Sequence, residues 1–312
     1  MEYRPLGRTG LSVSRLSFGA SSLGGVFRDV DEREAVRAVW TALDLGINYF
    51  DVAPAYGGTR SEAVLGRALK GVARDRYRLS TKVGKYTRPG SYGDDTLDYS
   101  AARTRASLEE SAARLGTAYF DIVHLHDFEY QGRRHLEWAL DEGLSTLHAL
   151  KAEGRIGAVS AGIYPMDLWH RLLRDYHLDA ALVHNHHCLN DTRLLELLPV
   201  AAERGVGLIN GSPFASGLLT DRGPADWHPA SAEQRAVFAD AAAWCRERGT
   251  SLGQLALQFA VSNPAVPTTL FSSASPESVE RCVRWAEEPL DEQLLHEVRR
   301  ILAPVTNTQW EY

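Results

Sequence analysis

The feature that most constrains this chain is a rhythm. Eight short apolar runs of β-type residues recur along it: Arg15–Phe18, Tyr49–Val52, Tyr77–Thr81, Ile122–Leu125, Gly157–Ser160, Ala180–His184, Gly207–Asn210 and Thr268–Phe271. Between them lie longer amphipathic stretches: Asp31–Leu45, Ser61–Leu69, Ser100–Leu115, Arg134–Lys151, Pro165–Asp175, Thr192–Arg204, Ser251–Ser262 and Pro276–Trp285. The first of these has an aspartate in the N-cap position and Gly46 just past its end, a normal helix stop. Strand–helix units repeated in one uninterrupted chain of 312 residues predict a single α/β domain over 1–312, a (β/α)8 TIM barrel. A doubly wound sheet would want a G-x-G-x-x-G opening its first helix, and the sequence has none. The segment around Gly7-Arg-Thr-Gly10 reads as an N-terminal β-hairpin. Ala232–Arg248 and Asp291–Leu302 read as two extra helices outside the alternation.

Several function classes drop out. The formal net charge of −6 argues against a polyanionic partner, since nucleic-acid binders usually show a basic patch. No apolar run approaches the roughly 18 residues of a membrane span. Met1–Gly10 has charges and a proline where a signal peptide would be apolar. Cys188, Cys245 and Cys282 have neither CxxC nor zinc spacing, so they read as reduced, buried thiols of a cytoplasmic protein with no metal site. The expected partner is a small molecule, bound by a monomer or weak homo-oligomer.

In such a barrel, reactive groups project from the C-terminal strand ends. The second run ends in Asp51-Val-Ala-Pro-Ala-Tyr56, the third in Ser80-Thr-Lys82, the fourth in His124-Leu-His126-Asp127. A phenol with a pKa of about 10 is a poor base at neutral pH. A nearby ammonium favours the phenolate, a carboxylate fixes that ammonium, and an imidazole can orient a substrate oxygen. His124, two residues before His126, points inward one layer lower and reads as a barrel-interior residue.

D-x-A-x-x-Y, then S/T-K near the end of the next strand, then H at the end of the fourth, resembles the aldo-keto reductase signature over the whole chain. The resemblance implies that Asp51, Tyr56, Lys82 and His126 form a catalytic tetrad with Tyr56 as acid/base, and that a nicotinamide dinucleotide binds. Ser212-Pro213-Phe214-Ala-Ser216-Gly217, followed by Leu218, matches the family's pyrophosphate loop; its small residues let backbone N–H groups approach an anion, and the helix start at Pro276 adds partial positive charge. The aromatic that many members stack on nicotinamide corresponds to Gly211, and the Ser-Asn pair that holds the carboxamide corresponds to Gly162-Ile163, so Asn185 or His186 is read as a substitute. NADP users place a Lys and an Arg around the 2′-phosphate. Those positions are Ser272, followed by Ser273, and Ser278, which implies NAD rather than NADP, with Arg281 as the alternative phosphate contact, although its family counterpart faces away along the helix.

Three further stretches, Gly19–Gly25, Tyr56–Glu62 and Gly223–Ser231, with the Pro304-Val-Thr-Asn tail, are similar to the branch of L-galactose and L-fucose (aldose) 1-dehydrogenases. That branch implies oxidation of C1 of an aldose to a lactone, with Phe27, Tyr56, His126 and Asp127 against the sugar. Specificity is expected from Val26-Phe-Arg28, Gly84–Tyr99, Asp127–Tyr130 and the tail through Trp310. Two alternatives stay open: an NADPH-dependent reductase of an aldehyde or biosynthetic ketone, and a redox-sensing regulatory subunit, against which the intact tetrad argues.

Overall fold

A computed structural model describes residues 1–87 and 95–310. The chain opens with an antiparallel hairpin of β1 (Tyr3–Pro5) and β2 (Ser12–Ser14). The barrel strands are β3 (Leu16–Gly19), β4 (Tyr49–Asp51), β5 (Arg78–Val83), β8 (Phe120–His126), β9 (Ile156–Ile163), β10 (Ala180–His184), β11 (Gly207–Gly211) and β12 (Thr268–Ser272). They pair in that order, all parallel, and β12 closes on β3. A second small hairpin joins β6 (Lys85–Thr87) to β7 (Asp95–Leu97); residues 88–94 of the expected Gly84–Tyr99 specificity segment lie outside the described residues.

Helices cover the outside: α1 (Glu32–Asp44), α2 (Arg60–Leu69), α3 (Ala101–Leu115), α4 (Leu136–Trp138), α5 (Leu144–Ala152), α6 (Met166–Asp175), α7 (Leu198–Arg204), α8 (Ala232–Arg246), α9 (Leu252–Ser262), α10 (Pro276–Glu287) and α11 (Glu292–Ile301). Asp31 caps α1 by accepting from the N–H groups of Arg33 and Glu34, and Ser231 and Gln234 form a capping box on α8. Two expected helices are interrupted. Arg134–Lys151 contains a π turn at Ala139–Gly143 between α4 and α5. The extra residue lets the Glu142 carboxylate accept from the Ala101 N–H (2.7 Å) and the Trp138 indole (2.8 Å). In Thr192–Arg204 the first half is a 3-10 turn, Arg193–Leu197. Pro199, with no N–H to give, fits only the first turn of the α-helix that follows.

Two packing features place the site. Leu6 and Val13 of the hairpin are fully buried among Tyr49, Ile122, Ala180, Leu182 and Ile209, so the hairpin plugs the bottom of the barrel. A ligand therefore enters at the opposite mouth, where the strands end. The helices α8 and α11 do not alternate with strands. They build a second apolar cluster, with Phe238, Val298, Leu302 and Trp310, beneath Ala215, Leu218 and Leu219 of the loop after β11. Among the described residues, no helix is long and apolar enough to cross a membrane, and no group of three or more His, Cys, Asp or Glu is placed to hold a metal ion.

Candidate active site

Strand register brings the tetrad together. Asp51 on β4 pairs with Ser80 on β5, and Lys82 with His124 on β8. Residues two apart on a strand share a face, so Ser80 and Lys82 both turn inward toward Asp51. The Lys82 ammonium bonds the Asp51 carboxylate and the Val52 carbonyl (3.1 Å). Ser80 donates to the other Asp51 oxygen at 2.6 Å, and the His124 ring stands 3.3 Å from it. Burial works to raise the Asp51 carboxyl, but the Lys82 charge and bonds from His124 and Lys82 outweigh it and hold the group ionised, below the usual carboxylate range. Lys82 Nζ lies 5.0 Å from the centre of the Tyr56 ring, and the rings of Tyr56 and His126 meet edge to face at 6.1 Å.

Tyr56 is held by a backbone approach. Gly24, in the turn after β3, and Gly57 touch so closely that a Cβ on Gly57 would stand 2.2 Å from the Gly24 oxygen, while φ is +61° at Gly57. Only glycine fits this crossing. Thr81 and Arg114 both donate to the buried Glu62, which anchors α2 to β5 and α3.

His126 is 5% exposed, and burial depresses its imidazole to about 3, so the ring is neutral at physiological pH. Its Nδ1 has no hydrogen-bond partner among the described residues, whereas Nε2 faces the Asp127 carboxylate at 3.5 Å. A carboxylate only accepts, so the proton is assigned to Nε2. Tyr99 fixes the strand end by donating to the His126 carbonyl at 2.9 Å.

The expected cofactor residues cluster at β10, β11 and β12. In the loop after β11, Ser212, Ala215 and Ser216 all have positive φ, an accumulation of non-glycine left-handed residues that marks a functional loop. The N–H groups of Ala215, Gly217 and Leu218 are taken by the loop's own turns, against the expectation that backbone N–H groups of this loop approach an anion. The Leu218 side chain is buried, Pro213 is buried, and Phe214 packs between the two apolar clusters. Asn185, at φ +63°, reaches Ser216 Oγ at 3.4 Å across the mouth.

Two readings are corrected. His186 cannot turn to a nicotinamide: it is fully buried with Nδ1 on Asp191 (2.9 Å) and Nε2 on the Tyr164 carbonyl (2.6 Å). Arg281 does not face away; its guanidinium donates to Ser278 Oγ at 2.9 Å. Ser272 Oγ, for its part, is bound into the turn after β3, accepting from the Ser22 N–H (2.8 Å) and bonding the Ser21 and Ser22 hydroxyls. Ser273 Oγ accepts from the Ser275 N–H at 3.1 Å, next to the α10 cap.

Phe27, expected against the sugar, is 44% exposed and stacked on Trp227 of the Gly223–Ser231 stretch at 6.2 Å. Beside Asp127 lie groups that the sequence named only as parts of loops or not at all. Lys85 pairs with Asp127 at 2.8 Å, buried Glu129 accepts from the Tyr164 N–H at 2.8 Å, and Tyr164 stacks on His184 at 5.3 Å. These residues follow strand ends without a fixed spacing, and a run of titratable residues just after the fourth strand was their only signal.

Comparisons with known proteins identify the family. L-galactose dehydrogenase of Arabidopsis thaliana is 40% identical over 99% of this chain and 97% of its own length. D-threo-aldose 1-dehydrogenase of a Pseudomonas species is 31% identical over 89% of this chain and 90% of that one. A holo-form aldo-keto reductase of Bacillus halodurans superposes with a TM-score of 0.77 at 28% identity, covering 98% of this chain and 97% of the other. The model of the aldo/keto reductase family matches residues 15–303. With the tetrad assembled at the mouth of a closed barrel, this chain belongs to the aldo/keto reductase family and is an oxidoreductase that works with a nicotinamide cofactor.

Proposed function

We propose that the enzyme oxidises C1 of an aldose of the L-galactose or L-fucose type to the aldonolactone, with NAD as acceptor. The observation that carries the reading is the pairing of the tetrad with a neutral His126: one group to take a proton, one to donate a hydrogen bond without competing for that proton. Tyr56 takes the proton of the anomeric hydroxyl. Lys82, held by Asp51, places positive charge beside the ring, where it stabilises the developing phenolate. His126 donates from Nε2 to the reacting oxygen. When bound, the nicotinamide supplies the hydride acceptor. The similarity to two aldose dehydrogenases supports a sugar as substrate.

The preference for NAD is supported by the rim around Ser272 and Ser278. Ser272 is committed to Ser21 and Ser22, and a cleft of about 200 Å³ bounded by Ala274 and Ser275 carries four carboxylates, Asp29, Asp31, Glu34 and Glu277, beside Arg28, with Arg37 already paired to Glu34. A 2′-phosphate brought there would lose hydration beside carboxylates, at a cost hydroxyl contacts do not repay. Arg281 favours the second reading, NADP use, because it already touches Ser278. A panel of aldoses with NAD and NADP, followed by absorbance of the reduced cofactor, decides. The expected result is turnover of L-galactose or L-fucose, more efficient with NAD. A tenfold preference for NADP, with aldehyde reduction exceeding sugar oxidation, would put the reductase reading in its place.

A further inference from the structure

Beside the tetrad sits a second buried charge cluster that proton transfer does not use. Asp127 directly follows His126, is 5% exposed, and holds φ at +49°, in the left-handed region. Its carboxylate is met by Lys85 Nζ at 2.8 Å, and Lys85 in turn lies 3.9 Å from the centre of the Tyr130 ring. A buried ion pair is a weak source of stability, since desolvation offsets most of the attraction. Left-handed backbone at a non-glycine residue beside a catalytic group points to a functional placement. The same Asp127 oxygen, Oδ2, that Lys85 holds lies 3.5 Å from His126 Nε2.

We propose that Asp127 accepts a hydrogen bond from the substrate hydroxyl on the carbon next to the reacting carbon, so that the enzyme selects aldoses with a free 2-hydroxyl. This rests on the aldose reading above. In the proposed mechanism His126 Nε2 and Tyr56 both act on the oxygen at C1, and their rings meet edge to face. An oxygen held by Asp127 therefore lies close to that one, as neighbouring oxygens of a sugar do. Two sugar oxygens are near enough to O1: the ring oxygen and the 2-hydroxyl. The ring oxygen has no hydrogen to give, and a carboxylate can only accept. Only the 2-hydroxyl satisfies it. Lys85 acts through Asp127 as a positioning residue, holding the carboxylate beside His126.

The experiment compares kcat/KM for L-galactose and 2-deoxy-L-galactose in the wild type, Asp127→Asn and Lys85→Met, with thermal unfolding and cofactor binding measured on each protein. A site built around one substrate hydroxyl should reject the 2-deoxy sugar by about 10²-fold. That ratio should fall below about tenfold in Asp127→Asn and to an intermediate value in Lys85→Met, because the amide is a weaker, neutral acceptor than the carboxylate and losing Lys85 leaves that carboxylate less firmly placed. A purely structural role would lower both sugars together and leave the ratio intact, and an intact ratio in folded Asp127→Asn overturns the proposal. Equal use of the two sugars by the wild type overturns it even if the variants fail to fold. Failure to oxidise either sugar, with reduction of small aldehydes preserved, overturns it together with the aldose reading.

Discussion

Tyr56→Phe removes one oxygen and leaves the ring edge against His126 and the backbone crossing at Gly24 and Gly57 in place. Turnover should fall by at least about 10² while the dissociation constant for the cofactor stays unchanged, because only the proton acceptor is lost. Steady-state rates beside cofactor titration by fluorescence check this; near-normal turnover would remove Tyr56 from the chemistry. Glu129 offers a test by stability. Burial, with the Asp127 charge, raises its carboxyl to about 8 from 4.5, and its Oε2 has no hydrogen-bond partner among the described residues. The folded state therefore keeps a proton that the unfolded chain gives up between those values. Stability from this group is complete below about 4.5 and is lost as pH rises through about 8. Gln stays neutral and can still accept from the Tyr164 N–H. Glu129→Gln should thus gain thermal stability over the wild type progressively from pH 5 to 8.5; a pH-independent difference would show that Glu129 is ionised throughout. At this scale the tetrad was legible because Asp51, Lys82 and His126 lie at or near strand ends and Tyr56 follows Asp51 at a fixed spacing. Glu129 and Lys85 were not, because what makes them notable is burial beside Asp127, and burial of loop side chains leaves no periodic mark in a sequence.

The elements that support the mouth sit outside the strand–helix alternation. Trp310, 6% exposed, ties the tail to the barrel: its N–H donates to the Tyr164 hydroxyl at 3.1 Å, its indole to Gln234 at 3.2 Å, and its ring edge meets His228 at 5.2 Å. Trp310→Ala should cost about 3 kcal/mol through the cavity it leaves, lowering Tm by roughly 5–10 °C. It should also raise KM for the sugar, since Tyr164 stacks on His184 at the mouth. Differential scanning calorimetry and sugar saturation curves check both effects, and an unshifted Tm would mean that the tail is loosely held. Most elements were read with ends within a few residues. β9 runs Ile156–Ile163 rather than Gly157–Ser160 because small and polar residues, Ser160 and Gly162, occupy its inner face and interrupt the apolar run. The π turn near Gly143 escaped for the opposite reason: the helical period continues across it, and only the bond from the Ala101 N–H to Glu142 explains the extra residue.

At the scale of the molecule, closure of the barrel was readable from the count of alternating units, since parallel strands with helical crossovers bury both sheet faces. The plug formed by Leu6 and Val13 was not, because a three-residue strand carries too little pattern to say what it covers. That plug leaves one open end, and everything proposed for the enzyme happens there: a proton passes to Tyr56 and a hydride leaves C1. L-galactose carrying deuterium at C1 tests this most directly, with NAD present and both products examined by mass spectrometry. The deuterium should appear in the reduced cofactor, the sugar should emerge as its lactone, and hydride transfer, where it limits the rate, should slow. Reduced cofactor free of deuterium, or a sugar oxidised at any carbon but C1, would contradict the assignment.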